Sequence, residues 1–403
     1  MLFDSLGPRE TVKPTADSNN VRAFGNLIVP QKPLKNSKVR YAVVGLGWIA
    51  QESVLPGFKN ATKNSEVVAL VTDDPEKARK LSKEYDVAET VSYDGYDALL
   101  RSGSIDAVYV ALPNNLHAGF TIRAARAGVH VLCEKPMAPS VEECESMTHA
   151  CDEHGVKLMI AYRLHFEPGN LKAIEIVSSG ELGEPRFFSS VFGQQVPEGN
   201  IRLEKSLDGG PLMDVGVYCI NAARYLFRSE PEEVIAFGAT INDDPRFTEI
   251  HEMAAAILRF PGERLASFTS SFGSASVDTY TVVGAKGDLR VSPGYGYHDE
   301  RELIRTVEGK EQKETFKRGD QFGAELVYFS QCILDDTTPE PGGWEGTADI
   351  RVIEAILKSI RSGQAVRLSQ LESNQRPGQN QKIELPPVKP PKIVNAKSPL
   401  AKQ

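Results

Sequence analysis

The sequence predicts an α/β protein with two domains: an N-terminal, doubly wound parallel sheet, and a second α/β domain built on a large, open, mostly antiparallel sheet. In the first part of the chain, short apolar runs alternate with amphipathic helical segments. Later, runs rich in β-branched and aromatic residues follow one another, with Pro-Gly or Lys-Gly turns between them. The 403 residues are enough to give each domain a core of its own.

The first predicted strand, at 39–44, leads into Gly45-x-Gly47-x-x-Ala50. Two glycines after a strand permit a sharp turn and let the backbone approach a pyrophosphate at the next helix N-terminus, as in Rossmann domains. Because any tight strand-to-helix turn favours glycine, the motif indicates a dinucleotide site only if the neighbouring segments form a Rossmann unit. That context consists of further predicted strands at 66–71, 105–112, 129–133 and 156–161, and of helices at 75–85, 94–102 and 116–127.

The second domain is predicted to begin with an amphipathic helix at 167–180. Its strands are predicted at 186–193, 233–241, 253–260, 264–273, 277–283 and 288–292. Helices follow at 322–334 and 346–362, and we expect the last one to pack against the first domain. The chain thus divides into an extended N-terminal arm (1–37), a Rossmann domain (38–160), a second domain (161–368) and a proline-rich tail (369–403), which is either disordered or laid along another surface.

Composition and charge exclude several classes of protein. The net charge of −8, without a cluster of Lys or Arg, is the opposite of what a nucleic-acid-binding surface requires. No stretch is typical of a membrane span or of a secretory signal. The five cysteines form no C-x-x-C pair and are interpreted as reduced thiols, and the dispersed histidines predict no metal site. These features favour a cytoplasmic protein.

Lys135 lies just after a predicted buried strand, between Glu134 and Pro136. Proline biases the preceding residue towards an extended conformation, which would direct the lysine over the strand ends, where open α/β sheets bind ligands. A lysine there can hydrogen-bond a sugar hydroxyl, and partial desolvation would lower its pKa and make it a usable general acid or base. The alternative is an ordinary solvated loop lysine.

A second group of residues follows Gly209-Gly210. Asp214 and Tyr218 are four residues apart, which places them on one face of a predicted helix. A carboxylate and a phenol on one face can bind a polyol, with the phenol as proton donor or acceptor. Alternatively, Asp214 caps the helix and Tyr218 belongs to the core.

Five motifs resemble those of the Gfo/Idh/MocA oxidoreductases, and within that family they are similar to the branch of glucose-fructose oxidoreductase and the aldose (D-xylose type) 1-dehydrogenases. The resemblance covers about residues 38–368, in order and with matching spacing. The motifs are Gly45-Leu-Gly47, Leu112-Pro-Asn-Asn-Leu-His117, Cys133-Glu-Lys-Pro136, Ala161-Tyr-Arg163 and Leu212-Met-Asp-Val-Gly-Val-Tyr218. The resemblance implies that a nicotinamide cofactor and a sugar meet between the two domains.

The same resemblance implies roles for individual residues. Lys135 would orient the sugar, Tyr218 would move the proton of the C1 hydroxyl, and Asp214 would hold the substrate or Lys135. Arg163 and His165 would lie beside the sugar. The residues expected to bind the cofactor are Gly45, Gly47, Trp48, Ile49, Thr72, Lys77, Leu112, Pro113, Asn115, His117, Glu134 and Arg163; for Asn115 and His117 an ordinary asparagine-rich turn is the alternative.

The choice between NADP and NAD depends on the residue after the strand at 66–71. Alignment with the family places Thr72 there, where NADP-using relatives have serine, and Lys77 follows. A hydroxyl with nearby cations suits a phosphate, whereas Asp73 and Asp74 would disfavour it. The sequence therefore predicts NADP as the preferred cofactor, with NAD as the alternative.

The expected activity is hydride transfer between C1 of an aldose, similar to glucose or xylose, and the nicotinamide. Alternatives are a sugar-to-sugar oxidoreductase that retains its NADP, a non-catalytic NADP(H) sensor, and a glycosidase that oxidises C3 transiently. The arm at 1–37 is similar to one that helps the glucose-fructose type to retain its cofactor. An apolar face on the large sheet would predict a homodimer or homotetramer.

Overall fold

The computed structural model describes residues 38–241, 244–371, 376–389 and 391–400. The predicted arm at 1–37 lies outside the described residues.

Residues 39–161 form the first sheet, which is entirely parallel. Within the described part of the chain it has six strands in the order β3-β2-β1-β4-β5-β6, the order expected of a dinucleotide-binding doubly wound fold. In chain order these strands are β1 (Val39–Val44), β2 (Ser65–Val71), β3 (Glu89–Val91), β4 (Ala107–Val110), β5 (His130–Glu134) and β6 (Leu158–Ala161). The predicted Rossmann sheet is confirmed.

Helices cover both faces of this sheet and support the second one. The segment after β1 begins as a π-helical turn, Ala50–Val54, and continues as the short α1. The helices are α1 (Leu55–Gly57), α2 (Pro75–Tyr85), α3 (Tyr96–Arg101), α4 (His117–Arg126), α5 (Val141–Glu153), α6 (Pro168–Ser178), α7 (Val217–Phe227), α8 (Gln321–Leu334) and α9 (Gly343–Ser362).

The second sheet is large and mostly antiparallel, as predicted, and only the pairing of β10 with β7 is parallel among its described pairs. Its order is β14-β13-β12-β11-β7-β10-β9-β8-β15. The strands are β7 (Pro185–Gln195), β8 (Glu233–Ala239), β9 (Met253–Phe260), β10 (Arg264–Ser271), β11 (Gly273–Gly284), β12 (Gly287–Ser292), β13 (Arg301–Val307), β14 (Lys310–Phe316) and β15 (Val366–Arg367).

The sequence did not predict the strands β3, β13, β14 and β15 or the helix α5. The edge strand β14 reads KEQKETF and is almost wholly exposed, so it carries no apolar alternation. Helix α5 is rich in acidic residues, and its buried side consists only of Cys144, Met147, Ala150 and Cys151. The strands β3 and β15 are two or three residues long, too short to show a period.

Helix α9 and the tail join the two sheets. As predicted, α9 packs against the first domain: Gly346 lies against Met137, and Glu354 accepts a hydrogen bond from the backbone of Val141. Described residues of the tail contact both domains, and Leu385 and Pro386 accept hydrogen bonds from the backbone of Asp320 and the side chain of Asn60. No helix within the described ranges is long and apolar enough to cross a membrane.

Candidate active site

A cleft of about 1330 Å³ separates the strand ends of the first sheet from the second sheet. Most of the predicted site residues line it: Gly45, Gly47, Trp48, Ile49, Lys77, Leu112, Pro113, Glu134, Lys135, Arg163, Asp214 and Tyr218. Four others, Thr72, Asn115, His117 and His165, are not among its lining residues. The sequence motifs, far apart in the chain, therefore converge on one site.

The turn after β1 leaves space for a ligand. Gly45 has a φ of +89°, and a Cβ there would lie 2.6 Å from the carbonyl oxygen of Ala111, so only glycine fits. A Cβ at Gly47 would meet nothing within 4 Å. The backbone of Gly47 is thus open to the cleft at the start of a helical segment, which suits a pyrophosphate.

Both acidic residues after Thr72 are occupied by backbone hydrogen bonds. Asp73 accepts one from the amide of Tyr93 at 2.9 Å, and Asp74 caps α2, accepting from the amides of Glu76 and Lys77 at 2.8 and 3.0 Å. The Thr72 hydroxyl accepts from the amide of Asp74. Both carboxylates are therefore held by the backbone, and Lys77 lines the cleft.

Asn115 and His117 do not line the cleft, but their hydrogen bonds hold the loop that does. The Asn115 amide donates to the carbonyl of Ser206 at 3.1 Å, and its neighbour Asn114 is the one that lines the cleft. His117 is fully buried, and its ring nitrogens lie 2.9 Å from the carbonyls of Leu112 and Pro136. His117 thereby ties the loop after β4 to the segment that carries Lys135.

Lys135 is fixed by an ion-pair chain. Its Nζ donates to the backbone carbonyl of Asp214 at 2.8 Å and to Asp214 Oδ1 at 3.0 Å. Arg202 Nε donates to Asp214 Oδ2 at 2.8 Å. Asp214 therefore holds Lys135, as the resemblance implied, and its own position is set by Arg202, which the sequence did not indicate.

These contacts decide the charges. Burial lowers the pKa of Lys135, but Asp214, Tyr218 and Glu134 together raise it more, and the net pKa lies above the ordinary value. Burial also raises the pKa of Asp214, yet Arg202 and Lys135 hold it far below the usual range. The lowered pKa that partial desolvation alone would give Lys135 does not occur: Lys135 is an ammonium ion that donates hydrogen bonds.

The ring of Tyr218 lies between two side-chain cations in the cleft. The Lys135 ammonium is 4.8 Å and the Arg163 guanidinium 5.0 Å from the centre of its ring. Asp214 and Tyr218 lie where the π-helical turn Leu212–Gly216 passes into α7, and both reach the cleft. Phe192 lies beside Tyr218, with ring centres 5.9 Å apart, and adds an apolar wall.

Glu134 and Arg163 form the floor of the cleft. Glu134 accepts a hydrogen bond from the Tyr109 hydroxyl at 2.9 Å, and burial raises its pKa. The Arg163 guanidinium donates to the side chain of Gln321 and the carbonyl of Tyr295, at 2.5 and 2.6 Å. Both residues are thus held rigidly below Lys135 and Tyr218.

The expectation that His165 lies beside the sugar is wrong in this structure. His165 is fully buried behind the cleft, between Glu340 at 3.1 Å and the Asn221 side-chain oxygen at 2.9 Å. Burial lowers its pKa, but Glu340, Glu345 and Asn221 together raise it more, so the net pKa is raised. A protonated ring donates to both partners. His165 does not line the cleft; it anchors the 3₁₀ turn Arg163–His165, which also carries Arg163.

Sequence reasoning missed several cleft residues. Arg202 lies in the short 3₁₀ turn Ile201–Leu203, where no sequence pattern marks it. The carboxylate of Asp278, on β11, reaches the cleft wall and accepts hydrogen bonds from the amides of Tyr295 and Gly296. The tail residues Asn395, Ala396, Lys397, Pro399 and Leu400 also line the cleft. The described residues contain no His, Cys, Asp and Glu group able to hold a metal ion.

Comparisons with known proteins agree with this geometry. The model of the Gfo/Idh/MocA oxidoreductase family, NAD-binding Rossmann fold, matches residues 39–162, and that of the Gfo/Idh/MocA C-terminal domain matches 170–290. The chain is 34% identical to the NADP(+) D-xylose 1-dehydrogenase of Haloarcula marismortui, over 83% of this chain and 94% of the relative.

Two solved structures are similar over most of their length. The aldose-aldose oxidoreductase of Caulobacter crescentus, complexed with glycerol, is 39% identical, with a TM-score of 0.79 over 82% of this chain and 100% of that one. A 3-ketoreductase from Actinomadura kijaniata, in complex with NADP and TDP-benzene, is 27% identical, with a TM-score of 0.73 over 80% and 98%. The protein belongs to the Gfo/Idh/MocA oxidoreductase family.

Proposed function

We propose that this protein is an NADP-dependent sugar oxidoreductase that oxidises C1 of an aldose to the aldonolactone. The observation that carries the proposal is the meeting of Lys135 and Tyr218 in the cleft that also contains the open Gly47 turn. A proton-transfer group and a fixed cation beside a dinucleotide site are what oxidation of a secondary hydroxyl requires.

The residues divide the chemistry between them. Tyr218 takes the proton of the C1 hydroxyl. The Lys135 ammonium, held by Asp214, donates a hydrogen bond to the same sugar oxygen and stabilises the negative charge that develops there. Arg163 is fixed close to the ring of Tyr218 and adds positive charge to the site. Phe192 excludes water on one side.

The cofactor site fits NADP. When bound, the nicotinamide supplies the acceptor for the hydride from C1. The backbone at Gly45 and Gly47 would hold the pyrophosphate, and Thr72 with Lys77 would lie at the adenosine end, where Asp73 and Asp74 are already occupied. The D-xylose dehydrogenase relative is NADP-dependent and the ketoreductase neighbour contains NADP, which supports this choice.

A second candidate is a sugar-to-sugar oxidoreductase. In that reaction one aldose loses two electrons and two protons and becomes a lactone, while a second sugar carbonyl gains both and becomes an alcohol. The aldose-aldose oxidoreductase neighbour supports it, as does the tail that borders the cleft.

The test is the absorbance of reduced nicotinamide in the purified, desalted protein after addition of glucose, xylose or related aldoses. A signal that needs added NADP supports the dehydrogenase, and a signal without added cofactor supports the sugar-to-sugar enzyme. Absence of a signal with all aldoses and both nucleotides would contradict C1 oxidation and favour the sensor or the C3-oxidising glycosidase.

We also propose a cytoplasmic location. All five cysteines are free thiols in the structure, without a disulfide. Reduced thiols are typical of a reducing compartment. Fractionation of the producing cells, with recovery outside the cytoplasm as the contradicting result, is the direct check.

A further inference from the structure

The last described segment of the chain, residues 394–400, crosses the mouth of the cofactor cleft. Five of its residues line the cleft: Asn395, Ala396, Lys397, Pro399 and Leu400. We refer to residues 394–400 as the C-terminal strap.

On the side of the first domain, the strap is fastened by Gln51. The fully buried Gln51 side chain donates to the carbonyl of Val394 at 2.8 Å and accepts from its amide at 2.7 Å. The Val394 side chain is itself buried in a core of the first domain. Asn395 then donates to Asp74 Oδ2 at 3.0 Å and to Glu76 Oε2 at 2.8 Å.

On the side of the second domain, the strap has a separate pair of contacts. Lys397 Nζ donates to the carbonyl of Gly199 at 3.1 Å, and the Asn200 side chain donates to the carbonyl of Ser398 at 3.0 Å. Asn200 is buried, so this attachment point is rigid. The strap therefore bridges both sides of the cleft.

The chemistry of the strap suits a phosphorylated nucleotide. Asn395 donates hydrogen bonds to the two carboxylates at the start of α2, next to Lys77 on the cleft wall, and so ties the strap to the end of the cleft where the adenosine would lie. Lys397 adds a cation to the same opening. A nucleotide in the cleft could leave past the strap only after contacts on at least one side are broken.

We propose that the C-terminal strap is a cofactor-binding segment that retains NADP(H) between turnovers, so that successive sugars react with one bound nucleotide. For its use in catalysis this inference rests on the second candidate of the proposed function, the sugar-to-sugar oxidoreductase, in which one nucleotide is reduced and reoxidised in turn; cofactor retention itself is independent of any sugar. It assigns to residues 394–400 the task that the resemblance implied for the arm at 1–37.

The test compares the full-length protein with the double variant Asn395→Ala/Lys397→Ala and with a chain that ends at Ile393. Each is loaded with NADPH, and release is followed by nicotinamide fluorescence after addition of excess NADP. We expect release to be at least about tenfold faster in both variants, since two or more hydrogen bonds are lost. Lys392→Ala, which removes an exposed lysine just outside the strap, should release NADPH at the rate of the full-length protein.

Equal release rates in the full-length protein and the double variant would overturn the inference, even if the shortened chain fails to fold. Sugar oxidation is measured separately, at saturating added NADP. If sugar is oxidised but the double variant releases NADPH at the rate of the full-length protein, the strap has no role in retention and the proposed function stands. Altered release without oxidation of any sugar would contradict the function and leave the strap's role supported.

Discussion

The ammonium of Lys135 and the phenol of Tyr218 lie side by side in the cleft and have different tasks. Because Asp214 keeps Lys135 charged, the lysine can stabilise an oxyanion but cannot remove a proton, which leaves that task to Tyr218. Lys135→Met and Tyr218→Phe should each lower kcat by about 10²–10⁴-fold. Steady-state kinetics and NADP titration check this, because the affinity for NADP should change little.

Tyr85→Phe is the matched control for the tyrosine. It removes a buried hydroxyl on α2 that has no hydrogen-bond partner among the residues that the structure describes, so kcat should be unchanged. If Tyr218→Phe were as active as Tyr85→Phe, another group would have to move the proton.

His165 couples stability to pH. Its pKa in the folded protein is raised above the unfolded value of about 6.5, so protonation stabilises the folded state. This stabilisation is complete below about pH 6.5 and is lost as the pH rises through the folded pKa. His165→Gln should therefore lower the free energy of unfolding more at about pH 6 than at about pH 9, by about 1.4 kcal/mol per unit of pKa shift.

Urea unfolding at the two pH values measures this difference. His149→Gln, which changes an exposed histidine on α5 that contacts only Glu153 at the surface, should have a small effect at either pH. A loss for His165→Gln that is independent of pH would mean that the buried ring is neutral in the folded protein.

At the scale of elements, the turn between β1 and the following π-helical segment carries the cofactor site. Gly45→Ala would place a methyl group against the carbonyl of Ala111 in a backbone conformation that alanine disfavours, and should weaken NADP binding by about tenfold or more. Gly103→Ala has a similar torsion, φ +73°, but its Cβ would meet nothing within 4 Å. It should cost stability only.

Isothermal titration with NADP and thermal unfolding of both variants separate the two effects. Equal NADP affinity in Gly45→Ala and Gly103→Ala would show that the contact with Ala111 does not shape the binding turn.

The sequence predicted those helices and strands whose hydrophobic pattern matches their burial in the structure. The strands that precede Gly45 and Lys135 are mostly apolar because helices cover both faces of a parallel sheet. Edge strands such as β14 are polar, and so they give no signal. Arg202 and Asn395 were missed for a different reason: their importance depends on contacts with Asp214 and Asp74, which only the folded chain brings near.

At the scale of the whole molecule, one face of the second sheet is exposed and apolar. Cross-strand pairing places its residues on a single face: Phe187, Val191, Ile235, Phe237, Ile257 and Leu265. Phe237 has 71% of its surface exposed. We propose that a second copy of the chain covers this face around a two-fold axis, giving a homodimer, or a homotetramer if further contacts form.

The double variant Phe237→Lys/Ile257→Lys should reduce the mass in solution to that of a monomer, because charges on that face would be buried unpaired. Light scattering after size exclusion measures it. Thr315→Lys, which adds one charge at the far edge of the same sheet, should leave the mass unchanged. A monomeric unmodified protein at micromolar concentration would contradict the dimer.

The position of the C-terminal strap also sets an order of events during biosynthesis. A ribosome synthesises residues 394–400 after every other residue that lines the cleft. Domains fold in the order in which they emerge. The nascent chain can therefore complete both walls of an open site and take up its nucleotide before the closing segment leaves the exit tunnel. Loading during translation would then be fast, whereas later exchange by the finished protein would be slow.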